Sequence, residues 1–286
     1  TLNSKKIPTI SLAAADLSSL TKAQTTGTGS YLFKINPNAA DDAAMLVAQV
    51  ETTHDVDQYA VLATNDPYGA ALAEDLRVDA KAADVTVNSR KTQAVPVATE
   101  RVANDANEST LRQAVHEALA QSPKALVVSL PPTQASQVVQ LARDEDYHNL
   151  IYFDAIAAGD LFIPSGQSVM EGVTMVAPQS LVIDDIIATS PAQTARKQWF
   201  AAYTSKYGIF SAYSLYAADA VQVISSSVQS AGGTDHDQLR NAIEATQIEG
   251  LSGQLRFTPD DHSGLTSQAL ASVNVTDDSR WHLANG

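Results

Sequence analysis

The sequence predicts an α/β fold built on parallel sheets with helices on both faces. Three observations predict it. Short, unbroken apolar runs recur along the chain, among them residues 60–64, 125–129 and 150–154. Between them lie segments with apolar residues at helical spacing. No low-complexity linker or internal repeat interrupts the alternation. A strand buried on both faces reads as a continuous apolar run, and an intervening helix lets the next strand pair in parallel.

Each element follows from its own stretch. Residues 7–12 read as a buried strand, and "YLFKI" at 31–35 as another. Asn36, Pro37 and Asn38 then supply a turn and a helix N-cap. Asp41 and Asp42 sit in the first turn, where negative charge favours a helix. Ala39, Ala43, Leu46 and Val50 make its apolar stripe. "AVLAT" is a strand, and "NDPYG" leads into a helix carrying Leu72, Leu76 and Ala80. "VTVNSR" is expected as a strand, and 109–120 as a helix with Leu111, Val115, Ala118 and Leu119 on one side. "ALVVS" is a strand, and "PPTQASQVVQLAR" becomes a helix capped near Thr133. "LIYFD" and "GVTMVAP" are further strands. Helices are expected over 192–207, 214–231 and 236–246. "GQLRFTPDDHSG" and "QALASVNV" read as antiparallel strands around a turn.

Composition narrows the function. The chain has 286 residues, 44% of them hydrophobic, enough for more than one compact lobe. A formal net charge of −14 repels nucleic acid and anionic membrane surfaces, so no nucleic-acid partner is expected. No run of 18 apolar residues is present to span a bilayer, and no signal-peptide pattern opens the sequence. Cysteine is absent, which removes disulfides, thiolate metal sites and cysteine nucleophiles.

The strings that carry common chemistry are missing. There is no G-x-S-x-G elbow and no glycine-rich phosphate loop opening a helix after a strand. "GTGSY" at 27–31 precedes a strand and reads as a turn. The position four after His116 is Ala120, so the paired zinc ligand is lacking. Asp260, Asp261 and His262 lie among turn-forming residues, and a polar hairpin turn is the better reading. Asp41–Asp42 and Asp184–Asp185 are adjacent carboxylates, whose side chains diverge on a helix. No catalytic residue, metal or cofactor is therefore expected.

What remains is a set of strand ends. In open α/β sheets, ligands collect at the carboxyl ends of strands, where helix N-termini point amides outward. These ends offer the backbone of Ala13, Ala14 and Ala15, the phenol of Tyr68, the hydroxyl of Ser129 and the carboxylate of Asp154. Amides suit a carboxylate, Asp154 suits an ammonium, and Tyr68 adds a cation–π face. That is an inventory for binding a zwitterion. The plainer alternatives stand beside it: Asp154 as a helix N-cap, Tyr68 as a turn aromatic.

The ordered series "IPTISLAAADL", "YLFKINPNAADDAA", "YAVLATNDPYGAALAEDL", "ALVVSLPPTQASQVVQLAR", "SLYAADAVQVI" and "IEGLSGQLRFTPDDHSG" resembles one family over essentially the whole chain. The family is the extracytoplasmic solute-binding proteins of branched-chain amino acid ABC transporters, with the type I periplasmic-binding-protein fold. "DPYG" and "GQLRFTPDDHSG" carry most of the likeness. The resemblance implies two lobes with mostly parallel sheets flanked by helices, lobe 1 holding 1–36 and 178–269 and lobe 2 holding 37–177 and 270–286. It further implies that a segment normally precedes residues 7–12, leaving lobe 1 incomplete. The expected result is a chain that dimerises through the exposed face or binds that segment as a separate piece.

The resemblance also implies function. The lobes would close by hinge motion on a small polar solute, an amino acid, in the interlobe cleft, and deliver it to an ABC permease outside the cytoplasm, in the periplasm or from a lipid anchor. No catalysis is implied. Tyr68 matches the family's ligand-facing tyrosine, and Asp154 falls near its ammonium-pairing acid. Ala15 stands where the family commonly has threonine, and Pro131 near a position often aromatic. The rivals are a sensor protein of the same fold and, with less support, a hydrolase using Asp154 with His148.

Overall fold

The computed structural model of the chain describes residues 2–13, 30–53, 55–159 and 167–284. The first strands, β1 (Thr9–Ser11) and β2 (Leu32–Lys34), pair in parallel. Helix α1 (Ala39–Thr52) buries Ala39, Asp42, Ala43, Leu46, Val47 and Val50, the stripe expected from sequence with Asp42 included. Strand β3 (Gln58–Thr64) is buried from Tyr59 onward. Helix α2 (Pro67–Ala82) opens on an Asp66 N-cap, whose carboxylate accepts from Gly69 N–H, with Pro67 at the first turn. Both devices satisfy or remove otherwise orphaned N–H groups.

The stretch expected as a single strand, "VTVNSR", is instead a hairpin. β4 (Val85–Val87) and β5 (Arg90–Thr92) pair antiparallel, with Asn88 and Ser89 at φ 49° and 65° between them. Positive φ at both central residues is the two-residue turn whose twist matches paired strands. β6 (Val95–Val102), α3 (Glu108–Leu119), β7 (Ala125–Ser129), α4 (Pro132–Asp144) and β8 (Leu150–Phe153) follow. The N-cap of α4 is Pro131, without a side-chain bond, rather than Thr133. Next come the short α5 (Gln167–Met170), β9 (Val173–Pro178), α6 (Pro191–Tyr207), α7 (Ala212–Ala231) and α8 (His236–Glu244). The last strands are β10 (Gln247–Glu249), β11 (Gln254–Arg256), β12 (Leu270–Val275) and β13 (Trp281–Leu283).

These elements form two compact units: Thr1–Asn38 with Ile186–Ala269, and Ala39–Asp185 with Leu270–Gly286. The middle crossing falls after Asp185 rather than before Pro178. The turn Gln179–Val182 packs on β9, β12 and β13, and Asp185 accepts from Leu283 N–H at 2.9 Å, which ties the segment to the second unit.

In the first unit, Phe33, Ile35, Tyr216, Ala220, Val223, Ile243, Leu255 and Phe257 share one core. β11 pairs antiparallel with β10. The expected pairing of β11 with β12 does not occur, because β12 belongs to the other unit and pairs with β9 and β13. His262, expected in a polar turn, is buried and stacks on Phe33 with ring centroids 4.1 Å apart. The turn itself is Thr258 to Asp261, which exchange backbone bonds at 2.8 and 3.2 Å. Nδ1–H of His262 donates to Leu32 O at 2.7 Å, leaving Nε2 a buried acceptor with no partner.

Burial holds the His262 imidazole below its usual pKa, outweighing the bond to Leu32 that favours the cation. A depressed histidine favours the fold while neutral. Its contribution is complete above the unfolded value of about 6.5 and fades as pH falls through the folded one. Denaturant unfolding from neutral to mildly acidic pH is expected to show this loss. His262→Phe, which keeps a ring against Phe33, flattens the slope, and an unchanged slope would assign the dependence to other groups.

The second unit is built on one seven-stranded sheet, ordered β13-β12-β9-β8-β7-β3-β6. β6, β3, β7, β8 and β9 run parallel, and β12 and β13 join antiparallel at one edge. α1 packs with α2, and α3 with α4. After β3 the chain steps to one side to form β6, then returns past β3 to lay down β7, β8 and β9 on the other side. The direction of winding therefore reverses at β3 and β7. Such a switch point opens a crevice at the carboxyl ends of the strands.

Candidate functional site

Three neighbouring parallel strands, β3, β7 and β8, end at this switch point, and each delivers a polar group. Ser129 is the last residue of β7, and Asp154 follows β8. Tyr68 is carried on the first turn of α2, just beyond β3. All three are buried, and so is Asp42 on the first turn of α1.

Their oxygens converge. Tyr68 Oη lies 2.5 Å from Asp42 Oδ2 and 3.2 Å from Asp154 Oδ2. Ser129 Oγ–H donates to the same Asp154 Oδ2 at 2.6 Å. Asp154 occupies the N-cap of the turn Ala155–Ala157, and the Ile156 N–H acts on its carboxyl there. The same carboxyl also meets the tyrosine and the serine. Tyr68 is more than a turn aromatic, since its hydroxyl bridges two elements far apart in sequence. The ring is enclosed, so a cation–π face is not presented at the surface.

Electrostatics follow from burial. The carboxyl of Asp154 is pushed well above the usual range, first by burial and then by the charge of Asp42, while bonds from Ser129, Tyr68 and the Ile156 N–H work the other way. The Tyr68 phenol is also pushed up, by burial and then by the two carboxyls. Beside them, burial pushes the N-cap Asp66 up, but bonds from Gly69 N–H, Thr64, Asn104 and Tyr68 N–H outweigh it and hold it below its ordinary value. Arg101 donates to the carbonyls of Thr64 and Asp66 at 3.2 and 2.7 Å, fixing the turn that presents Tyr68.

The structure thus brings together Tyr68, Ser129 and Asp154 from the sequence inventory, and adds Asp42. Ala13 lies in the other unit, exposed, with its N–H donating to Ser11 Oγ at 3.3 Å. Ala14 and Ala15 fall outside the described residues. Asp42 does lie in the first turn of α1, as its sequence position implies, and its bond to Tyr68, 26 residues away, adds a tertiary role that the helix-end charge does not predict. His148 pairs with Asp146 at the opposite end of β8 from Asp154, which separates the two groups a hydrolase would need. Among the described residues no cluster of three or more His, Asp or Glu side chains is arranged for a metal, and no helix is long and apolar enough to cross a membrane.

Acid and hydroxyl groups gathered at a switch point can hold a small polar ligand. The model of one family, described as periplasmic binding protein, matches residues 1–280. The chain belongs to that family. As a periplasmic binding protein it is a solute-binding, extracytoplasmic type of molecule. No curated protein matches the sequence.

Solved structures share the fold at low identity. An extracellular ligand-binding receptor from Rhodopseudomonas palustris HaA2 superposes with a TM-score of 0.83 at 19% identity, over 99% of this chain and 77% of that one. A leucine binding protein from Thermotoga maritima MSB8 gives 0.75 at 15%, over 99% and 74%. A solute binding protein of an ABC transporter from Rhodopseudomonas palustris BisB5, in complex with 3,4-dihydroxy benzoic acid, gives 0.74 at 15%, over 99% and 72%. The architecture of this periplasmic binding protein is thus the type I α/β fold, as the sequence resemblance implied.

Proposed function

We propose that this chain captures an amino acid and delivers it to an ABC transporter permease, with Tyr68, Ser129 and Asp154 holding the ammonium group of the ligand and no chemical step. The observation that carries the reading is the convergence of Tyr68, Ser129 and Asp154 on one oxygen, Asp154 Oδ2, at the carboxyl ends of adjacent strands. Acceptors at a strand end match a cationic group. The name of one structural relative, a leucine binding protein, supports an amino acid. The dihydroxybenzoate bound by another is an anion, and two carboxyls in contact with one phenol argue against that class at this cluster. Because the three groups are buried, the ligand must open the cluster to reach them, which couples binding to a conformational change.

The test is a thermal-shift titration of the purified chain with the twenty amino acids and with 3,4-dihydroxybenzoate. A ligand at one hundred times its Kd stabilises by about 2.7 kcal/mol, a readable rise in Tm. A branched-chain amino acid is expected to give the largest rise, and Asp154→Asn to weaken its affinity at least tenfold. If no amino acid moves Tm while dihydroxybenzoate does, the amino-acid assignment is wrong.

A further inference from the structure

The bonds around Tyr68 do not balance with the protons ordinarily assigned. A phenol has one proton, and its oxygen stands within hydrogen-bond distance of two carboxyls, Asp42 and Asp154. Tyr68 donates along the shorter contact, 2.5 Å, to Asp42 Oδ2. The phenol proton can reach Asp154 Oδ2, 3.2 Å away, only as the weaker arm of a shared bond, whereas a proton on Asp154 would make that contact a full hydrogen bond. Ser129 is the donor in its own short bond to Asp154, and that oxygen can accept from the serine while donating to the phenol. Two carboxylates meeting at one buried oxygen also repel each other strongly when both are ionised.

We infer that the free protein holds one extra proton on Asp154, relayed Asp154 to Tyr68 to Asp42, and that Asp42 is the positioning residue which keeps it there. The consequence for capture rests on the amino-acid reading given above. An ammonium group arriving at Asp154 replaces the positive charge that the proton supplied. Binding then releases about one proton, and affinity rises about tenfold per pH unit until Asp154 ionises unaided. Asp42 never needs to touch the ligand to set this dependence.

Within the second unit, the charged and titratable groups around the relay are these. From α1 the facing titratable group is Asp42, with Asp41 half-exposed beside it. α2 brings Tyr68 and the N-cap Asp66, whose carboxylate is engaged by Thr64, Gly69 N–H and Asn104. β6 brings Arg101, whose guanidinium is spent on the carbonyls of Thr64 and Asp66. The turn after Asp154 packs on β7, β9 and α4; β7 and β9 carry no charged side chain, the charged residues of α4, Arg143 and Asp144, are its last two, and the Ile156 N–H within the turn favours the ionised carboxyl without reversing its upward shift.

Infrared difference spectroscopy on the ligand-free chain tests the proton directly. At neutral pH the wild type is expected to show the C=O stretch of a buried, protonated carboxyl, absent in Asp154→Asn. Asp42→Asn removes the neighbouring charge without changing shape, so Asp154 should ionise and the band should appear only at lower pH. A wild type with no acid band at neutral pH overturns the relay, as does a band that survives Asp154→Asn and is lost in Asp42→Asn at every pH. Should either variant fail to fold, a carboxyl-carbon NMR titration of the aspartate-labelled wild type decides the same question. Calorimetry with L-leucine in buffers of different ionisation heat adds the functional arm. About one proton released per ligand by the wild type, and none by Asp42→Asn, supports the coupling, and leucine binding without proton release refutes it. If leucine does not bind while the infrared band is present, the amino-acid reading fails and the relay stands.

Discussion

Replacing Gly69 by alanine is expected to destabilise the second unit by about 3 kcal/mol, at the upper end of what overpacking costs. A Cβ there would stand 2.1 Å from the carbonyl oxygen of Thr64, 2.6 Å from its Oγ1 and 2.9 Å from its carbonyl carbon. Two of these are backbone atoms of β3, which is paired on both sides in the seven-stranded sheet, and they cannot swing aside. The strain is therefore relieved by lifting the first turn of α2 off the strand. That motion breaks the Asp66 cap, which accepts from Gly69 N–H at 2.9 Å, and carries Tyr68 away from Asp42 and Asp154. Stability and the site should fail together. Denaturant unfolding followed by circular dichroism checks the first, and the infrared band of the buried acid checks the second. Gly233→Ala is the control, because a Cβ at Gly233 meets nothing within 4 Å. If Gly69→Ala unfolds no earlier than that control, close packing is not what selects glycine after Asp-Pro-Tyr.

Local physics made much of this legible, and its limits are equally local. The runs at 60–64, 125–129, 150–154 and 172–178 correspond to β3, β7, β8 and β9 because central parallel strands bury both faces, so most of their residues are apolar. β6 was not recognised. It lies at the sheet edge and carries Pro96, Glu100 and Arg101, residues that an edge tolerates and a central strand does not. The hairpin of β4 and β5 looks like one strand in sequence because each arm is only three residues long and its turn is Asn-Ser rather than a glycine pair. At the site, strand-end logic reached Tyr68, Ser129 and Asp154, since each follows directly from where a strand stops. Asp42 needed a different signal. It falls on the stripe of Ala39, Ala43 and Leu46, whereas Asp41 falls off it, and a carboxyl on a buried stripe requires a partner. His262 was missed for a related reason, as the turn residues before it hide a side chain that points back to Phe33.

The same principle yields a second large effect in the first unit. Asp219 is buried in the middle of α7, where a carboxyl is out of place unless it serves the chain around it. It accepts from Leu251 N–H at 2.6 Å and Ser252 N–H at 2.7 Å, and from the Ser252 hydroxyl. Asp219 thereby organises the loop Gly250–Gly253 that joins β10 to β11, and a Cβ on Gly250 would come within 2.7 Å of Asp219 Oδ2. Asp219→Ala removes the acceptors and leaves two amides and a hydroxyl without their partner, those of Ser252 buried. At about 1–3 kcal/mol for each buried donor left unmade, partly relieved by rotation of the serine, the expected loss is about 4 kcal/mol. Asp219→Asn keeps one acceptor oxygen but turns an N–H toward an N–H, so about half that loss is expected. The two variants also differ in their pH behaviour from the wild type. Burial raises the Asp219 carboxyl above its usual pKa, against the bonds from Ser252 and Leu251 and the charge of Arg196 that lower it. A carboxyl raised on folding adds stability below its unfolded pKa and loses that contribution as pH rises through the folded one. Neither variant can ionise there, so the gap between wild type and Asp219→Asn should be widest in acid and narrow toward neutrality. Urea unfolding at a series of pH values measures it. A gap that instead widens toward neutral pH would mean that the ionised carboxylate, with its three donors and Arg196, outweighs the cost of burying it.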